Sequence, residues 1–135
     1  RSRSLPDKEP PFSRWAPACL YSGYTVVYLN LQLAVHMGIR ELYLLGVDCN
    51  YSYQQDQPQV RQDVVTQRPE RYDDYFHPGY RKKDELFFNP GAIAHFNAYR
   101  SAARALAACG GRLSNATRGG KLELLPRVDF DQLVP

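Results

Sequence analysis

Asp48, Asn50, Tyr51 and Tyr53 crowd together just beyond an apolar run, and as a group they could bind a hydroxyl, a base or a metal ion. An acid in that place can equally cap the next turn. Tyr51 and Tyr53 lie two apart and would share one side of an extended segment. Phenols bind phosphate or stack on bases, and they also pack loops. His77 stands in Tyr75-Phe76-His77-Pro78-Gly79-Tyr80, flanked by Asp73 and Asp74. A histidine that titrates near neutrality can take a proton from a hydroxyl while a carboxylate orients it. The plainer alternative is a loop histidine bonded locally. Thr117-Arg118-Gly119-Gly120 offers a guanidinium for a phosphate or carboxylate and backbone that a ligand can approach. A turn that only reverses the chain would use the same two glycines. Ser22-Gly23, ahead of a helix, suits an anion by dipole and free amides, although Ser22 or Thr25 could equally be the ordinary cap of that helix. His36 and His95 fall inside helices without a ligand-spaced partner and read as structural.

The elements that must position these groups follow from periodicity. An apolar helix pattern from Thr25 to Met37 stops at Gly38. Val26, Leu29, Leu33 and Met37 recur at steps of three and four, with Val27, Leu31 and Val35 on the other side, which predicts a buried helix. Glu41 to Val47 reads as a strand covered on both faces. Residues 50–88 show no sustained period, and connections beyond about 12–15 residues are functional or disordered in compact domains, so a lid is expected there. Asn89-Pro90 then opens a second helix, with Ala92, Phe96, Tyr99, Ala103 and Leu106 on its apolar face and Gly110-Gly111 at its end. A short strand spans Leu113 to Asn115, and a last apolar segment, Lys121 to Val128, is broken by Pro126. Strand, crossover, helix, strand is βαβ logic, hence an α/β fold with a parallel sheet. Asp48 and Asn115 then share one end of that sheet, where ligands of open α/β sheets sit. Residues 1–18 form an extended lead-in from which Phe12 and Trp15 can dock on the core.

Composition sets the bounds. The 135 residues make one domain at most, and 44% hydrophobic content is that of a globular protein. Seventeen Lys and Arg against fourteen Asp and Glu leave a net charge of +3, enough to suit anionic small molecules and too scattered for nucleic acid. No apolar run approaches the roughly 18 residues of a membrane span, and no signal peptide is visible. Cys19, Cys49 and Cys109 form no metal-type motif, which points to a reduced, cytoplasmic setting. Asn115-Ala116-Thr117 matches a glycosylation acceptor of a kind common by chance. The start at Arg1 and the single methionine, Met37, suggest a piece of a larger protein.

Two blocks together resemble a known family. Gly23-Tyr24-Thr25-Val26, Leu31-Gln32-Leu33-Ala34, Met37-Gly38 and Glu41-Leu42-Tyr43-Leu44-Leu45-Gly46-Val47-Asp48 form the first. Asn115-Ala116-Thr117-Arg118-Gly119-Gly120-Lys121-Leu122-Glu123 with Pro126-Arg127-Val128-Asp129 forms the second. Over residues 12–132 they look like the MptE-like domain. That family includes motility-associated factors implicated in glycosylating flagellin with nonulosonic acids, and archaeal 6-hydroxymethyl-7,8-dihydropterin diphosphokinases. A fainter similarity reaches the bacterial sialyltransferases of glycosyltransferase family 42. Ser22-Gly23, Gly46-Val47-Asp48 and Tyr75-Phe76-His77 are the nearest matches, with Tyr75 and His77 one residue closer together than in that family. The resemblance implies a Rossmann-like, nucleotide-sugar-binding transferase that uses a CMP-activated acidic sugar and a glycan or protein acceptor. Ser22 and Gly23 would hold the donor phosphate, and Tyr51, Asn115 and Thr117 would border the nucleotide or sugar. Arg118 would face the leaving phosphate and His77 would act as base, with no metal cofactor. The alternatives are an ATP-dependent pterin diphosphokinase, which would need Mg²⁺ on carboxylates such as Asp48, and a non-catalytic nucleotide-binding module.

Overall fold

The computed structural model describes residues 8–50, 77 and 91–133. Its elements are α1 (Val26–His36), β1 (Glu41–Leu44), α2 (Gly91–Ala107), β2 (Arg112–Asn115) and a short 3₁₀ helix (Phe130–Gln132). The fold is α/β, with β1 and β2 as neighbouring parallel strands. Leu42 faces Leu113 and Leu44 faces Asn115 in the register. The expected βαβ order therefore holds, and no helix among the described residues is long and apolar enough to cross a membrane.

Both helices have side-chain or backbone stops that the sequence announced. Thr25 is extended (φ −145°) and its hydroxyl accepts from Val27 N–H, so the cap is Thr25 and not Ser22. At the other end, Gly38 N–H donates to Val35 O and Ile39 N–H to Ala34 O, the paired bonds of a Schellman motif with Gly38 as its C′ residue. The second helix ends identically: Gly110 N–H donates to Ala107 O and Gly111 N–H to Leu106 O.

The strand ends are earlier than the apolar run suggests. Ala116 N–H donates to Leu44 O, which is the last ladder bond, and Val47 N–H turns instead to the Thr117 hydroxyl. Beyond β2 the chain returns and adds an isolated parallel bridge between Asn115 and Arg127. Asn115 N–H donates to Pro126 O, and Val128 N–H donates to Asn115 O. On the exposed side of the sheet, Glu41 accepts from both Tyr43 and Arg112, each at 2.6 Å.

The core unites Tyr28, Leu31 and Val35 of α1 with Ala98, Tyr99, Ala102 and Leu106 of α2, and with Leu44, Leu113, Leu122 and Leu125. Two expectations are corrected here. Of the expected face of α2, Tyr99 and Leu106 are buried as read, whereas Phe96 and Ala103 are only partly so; the seam is completed by three small residues at steps of four, Ala94, Ala98 and Ala102, leading to Leu106. Small side chains there let α1 come close. For α1 the periodic stripe points the wrong way: Val26, Leu33 and Met37 are exposed, and Tyr28, Leu31, Gln32 and Val35 are buried.

The inward polar pair, Tyr28 and Gln32, explains that reversal. Gln32 Oε1 accepts from Ser13 N–H (3.0 Å) and Tyr21 N–H (3.1 Å), and its amide donates to Tyr21 O (2.8 Å) and Tyr28 O (3.0 Å). The Tyr28 hydroxyl reaches Pro10 O, Pro11 O and Ser101 Oγ, all at 3.0 Å. These bonds satisfy backbone groups of a segment without secondary structure of its own, which is what lets residues 10–21 lie against the helices. Phe12 packs edge-on to Tyr28 at 5.5 Å, as the lead-in reading expects, while Trp15 stays 62% exposed and meets His36 edge-on at 4.8 Å.

Candidate functional site

The two helices run parallel. Tyr28 of α1 bonds Ser101 of α2, and Tyr24, ahead of α1, offers its backbone to His95 near the start of α2. The carboxyl end of α2 lies by the strand starts, where Gly111 and Arg112 meet the Arg40 carbonyl. Both helix amino ends and both strand carboxyl ends therefore face the same way. The sum is a rim of positive helix ends beside the loops that leave β1 and β2, the usual place for an anionic ligand in an α/β sheet. Backbone strain falls on the same rim: among the described residues, the non-glycine residues with positive φ are Tyr24 (64°) and Cys49 (50°). Such conformations persist only where surrounding structure enforces them, and they concentrate at functional sites.

On the α1 side of the rim, Ser22 is exposed and its carbonyl accepts from Thr25 N–H. Gly23 is buried in a left-handed conformation, and a Cβ there would come within 2.2 Å of the Tyr28 ring. The glycine is thus required by Tyr28 whatever else the turn does. His95 stands half-buried beside this turn; burial holds its imidazole below the usual range, and the bond to the Tyr24 backbone opposes that shift. The imidazole is accordingly neutral at pH 7. Sequence reading set His95 aside as structural; only the packing of α2 against the Ser22–Tyr24 turn brings it to the rim.

On the strand side, Asp48 is exposed and its carboxylate accepts weakly from Asn50 N–H at 3.4 Å. Asn50 is exposed as well. Cys49 is buried, and burial together with the Asp48 charge pushes its thiol up to about 11, so it is no ready nucleophile. The expected neighbourhood of Asp48 and the loop after Asn115 is present: Lys121 N–H donates to Asp48 O at 2.6 Å. A Cβ on Gly120 would lie 2.6 Å from both the Asp48 Cα and its carbonyl oxygen. One glycine of the Thr117–Gly120 loop thus admits the chain's own backbone.

Asn115 and Thr117 hold the loops. Asn115 is 1% exposed; its amide donates to Leu122 O and its oxygen accepts from Thr117 N–H. The buried Thr117 hydroxyl accepts from Val47 N–H and bonds Leu44 O, tying the end of β1 to the end of β2. Arg118 is exposed, paired with Asp131 and set over the Phe130 ring at 5.8 Å. A residue that sequence reading missed organises this loop. Arg127 donates to the carbonyls of Thr117, Gly119 and Gly120 and to the Glu123 carboxylate. The only sequence signal was its place in the second family-like block.

His77 is exposed at a bend. Tyr51, Tyr53 and Tyr75, and the lid expected over 50–88 apart from Asn50 and His77, lie outside the described residues. Among the described residues, no group of three or more His, Cys, Asp or Glu could hold a metal ion. No family model, curated protein or solved structure matches this chain.

Proposed function

We propose that the chain is a Rossmann-like, nucleotide-sugar-binding unit of a glycosyltransferase-like enzyme that uses a CMP-activated acidic sugar. One observation carries the reading: the helix amino ends, the strand carboxyl ends and the strained residues Tyr24 and Cys49 share one rim. Ser22, Gly23 and the amino end of α1 receive the donor phosphate, whose charge the helix dipole and amides favour. Arg118 exchanges its exposed Asp131 partner for the phosphate of the leaving nucleotide, a swap that exposed ion pairs permit at little loss. Asn115 and Thr117 contribute by fixing the two loops that border the nucleotide, together with Asp48, Asn50, Tyr51, Tyr53 and Tyr75. In the reaction, the acceptor hydroxyl oxygen bonds to the anomeric carbon and the bond from that carbon to the phosphate oxygen breaks. CMP leaves with the electron pair, and His77 takes the hydroxyl proton.

Thermal shift with CMP, a CMP-activated acidic sugar, ATP with Mg²⁺ and a hydroxymethylpterin tests this reading. Stabilisation by CMP and its sugar conjugate without metal is the expected result. Stabilisation only by ATP, Mg²⁺ and the pterin would replace the proposal with pyrophosphoryl transfer. Stabilisation by none of them would leave no basis for a nucleotide site.

A further inference from the structure

A planar trans peptide points its carbonyl and the following N–H in opposite directions. A group that draws in the carbonyls of a loop therefore turns out the amides that come after them. Arg127 does this to the turn after β2. Its Nη1 donates to Thr117 O (2.9 Å) and Gly119 O (2.8 Å), and its Nη2 to Gly120 O (3.3 Å). The N–H groups of Arg118, Gly120 and Lys121 accordingly leave on the other side of the loop. Lys121 shows which side that is, because its N–H donates to Asp48 O at 2.6 Å, beyond the end of β1. The N–H groups of Arg118 and Gly120 meet no acceptor among the described residues, and both residues are exposed. Gly119, at φ 69° with open space where a Cβ would stand, is a glycine for conformation alone.

We infer that this loop is a phosphate site, held by the amides of Arg118 and Gly120 with the Arg118 guanidinium, and that Arg127 is its positioning residue. Loops ordinarily offer solvent donors and acceptors together. Here one guanidinium withdraws three of the four carbonyls of residues 117–120, and successive N–H groups left facing outward make an anion-binding surface. Arg127 acts through the loop and not on the anion, because its remaining donors are taken by the Glu123 carboxylate. Arg118 is free to serve: its partner Asp131 is exposed, as it is itself, and an exposed pair is exchanged at little loss. Asp48 works against the site. Its carboxylate stands exposed beside Gly120, so it repels an anion and keeps the affinity modest. The inference rests on the proposed function only for the identity of the anion, the phosphate that Arg118 meets.

Backbone NMR of the isotope-labelled 135-residue chain, titrated with inorganic phosphate against sodium chloride of equal ionic strength, is the test. The Arg118 and Gly120 N–H resonances should move saturably with phosphate, with a dissociation constant of about 1–10 mM, and not with chloride. Arg127→Ala releases the three carbonyls and should weaken binding by about tenfold or more. Arg127→Lys, which keeps the charge but loses the planar fork, should weaken it in the same sense and covers the case in which the alanine variant does not fold. Asp48→Asn keeps the backbone contacts and removes the opposing charge, so phosphate should bind about threefold tighter or more. Arg118→Ala should reduce the response at Gly120 without abolishing it. Resonances that ignore phosphate, or answer chloride equally, overturn the site. Affinity unchanged in a folded Arg127 variant overturns the positioning role, and complete loss in Arg118→Ala overturns the role of the amides. A response to phosphate with none to CMP would uphold this site and remove the nucleotide reading.

Discussion

Replacing Gln32 by leucine would keep the volume of a fully buried side chain and delete its amide. Four hydrogen bonds go with it, at 2.8 to 3.1 Å, to Ser13, Tyr21 and Tyr28. Three of the groups released belong to the segment without secondary structure, namely Ser13 N–H, Tyr21 N–H and Tyr21 O. The Tyr28 carbonyl lies within α1, where the helix supplies other donors, so it is the least affected. Each buried backbone group left unpaired costs about 1–3 kcal/mol, although part of the segment can move toward water to recover hydration. A net loss of about 2–4 kcal/mol follows, which for a domain of this size is a fall in Tm of roughly 8–20 °C. Urea unfolding followed by circular dichroism would read it, and hydrogen exchange would show whether residues 10–21 open first. Tyr21 also adjoins Ser22, so affinity for CMP should drop alongside stability. A loss below about 1 kcal/mol would refute the idea that this one amide fastens the segment.

Four other outcomes are expected. Gly120→Ala forces backbone apart at Asp48 and should cost about 2–4 kcal/mol, whereas Gly38→Ala, with open space around it, should cost about 1 kcal/mol; thermal unfolding compares them. Burial pushes the Tyr28 phenol from 10.0 up to about 12, so its neutral form is preferred in the fold, and that contribution is intact below pH 10 and lost as pH climbs to 12. Cys49, raised from 9.0 to about 11, adds a loss between those values, and Tyr28→Phe should remove only the phenol's share of the alkaline slope in urea titrations. For His95 the shift is downward from 6.5, so its contribution is intact above that pH and lost on acidification through the lower folded value; a proton titration by NMR showing a normal or raised pKa would contradict this. His77→Ala should cut turnover by about 10²–10⁴-fold with nucleotide affinity nearly unchanged, and an undiminished rate would remove the proposed base.

What the sequence made legible is what depends on local chemistry. Thr25 caps, Gly38 and Gly110 stop their helices, and the run Leu42–Leu44 makes a strand, because each outcome is settled within a few residues. The parallel pairing of β1 with β2 was likewise readable from the order of elements. The inward face of α1 was not. Two apolar faces compete on that helix, and the choice is made by Gln32 and Tyr28, whose partners lie as far as 19 and 73 residues away. Arg127 escaped for the same reason: a basic residue near a glycine pair looks like a surface charge until the carbonyls of Thr117, Gly119 and Gly120 converge on it. Asn115 and Thr117 were picked out for possible ligand contact, and their polar atoms go to the ends of the two strands instead.

The register of β1 on β2 has a consequence for how the chain comes to be folded. Each pair in that ladder joins residues 71 apart, as Glu41 and Arg112 are. During synthesis β1 leaves the ribosome well before β2, its partner in the ladder, and that pairing must wait until the later strand has emerged. Closing so wide a loop is slow, yet its entropy grows only logarithmically, by about 0.6 kcal/mol for each doubling of length. The stretch between the end of β1 and the start of α2 is therefore free to lengthen or shorten over generations with little penalty to the fold. Under the proposed transferase function, acceptor preference would be the property most easily altered there, while the rim at the strand ends stays as it is.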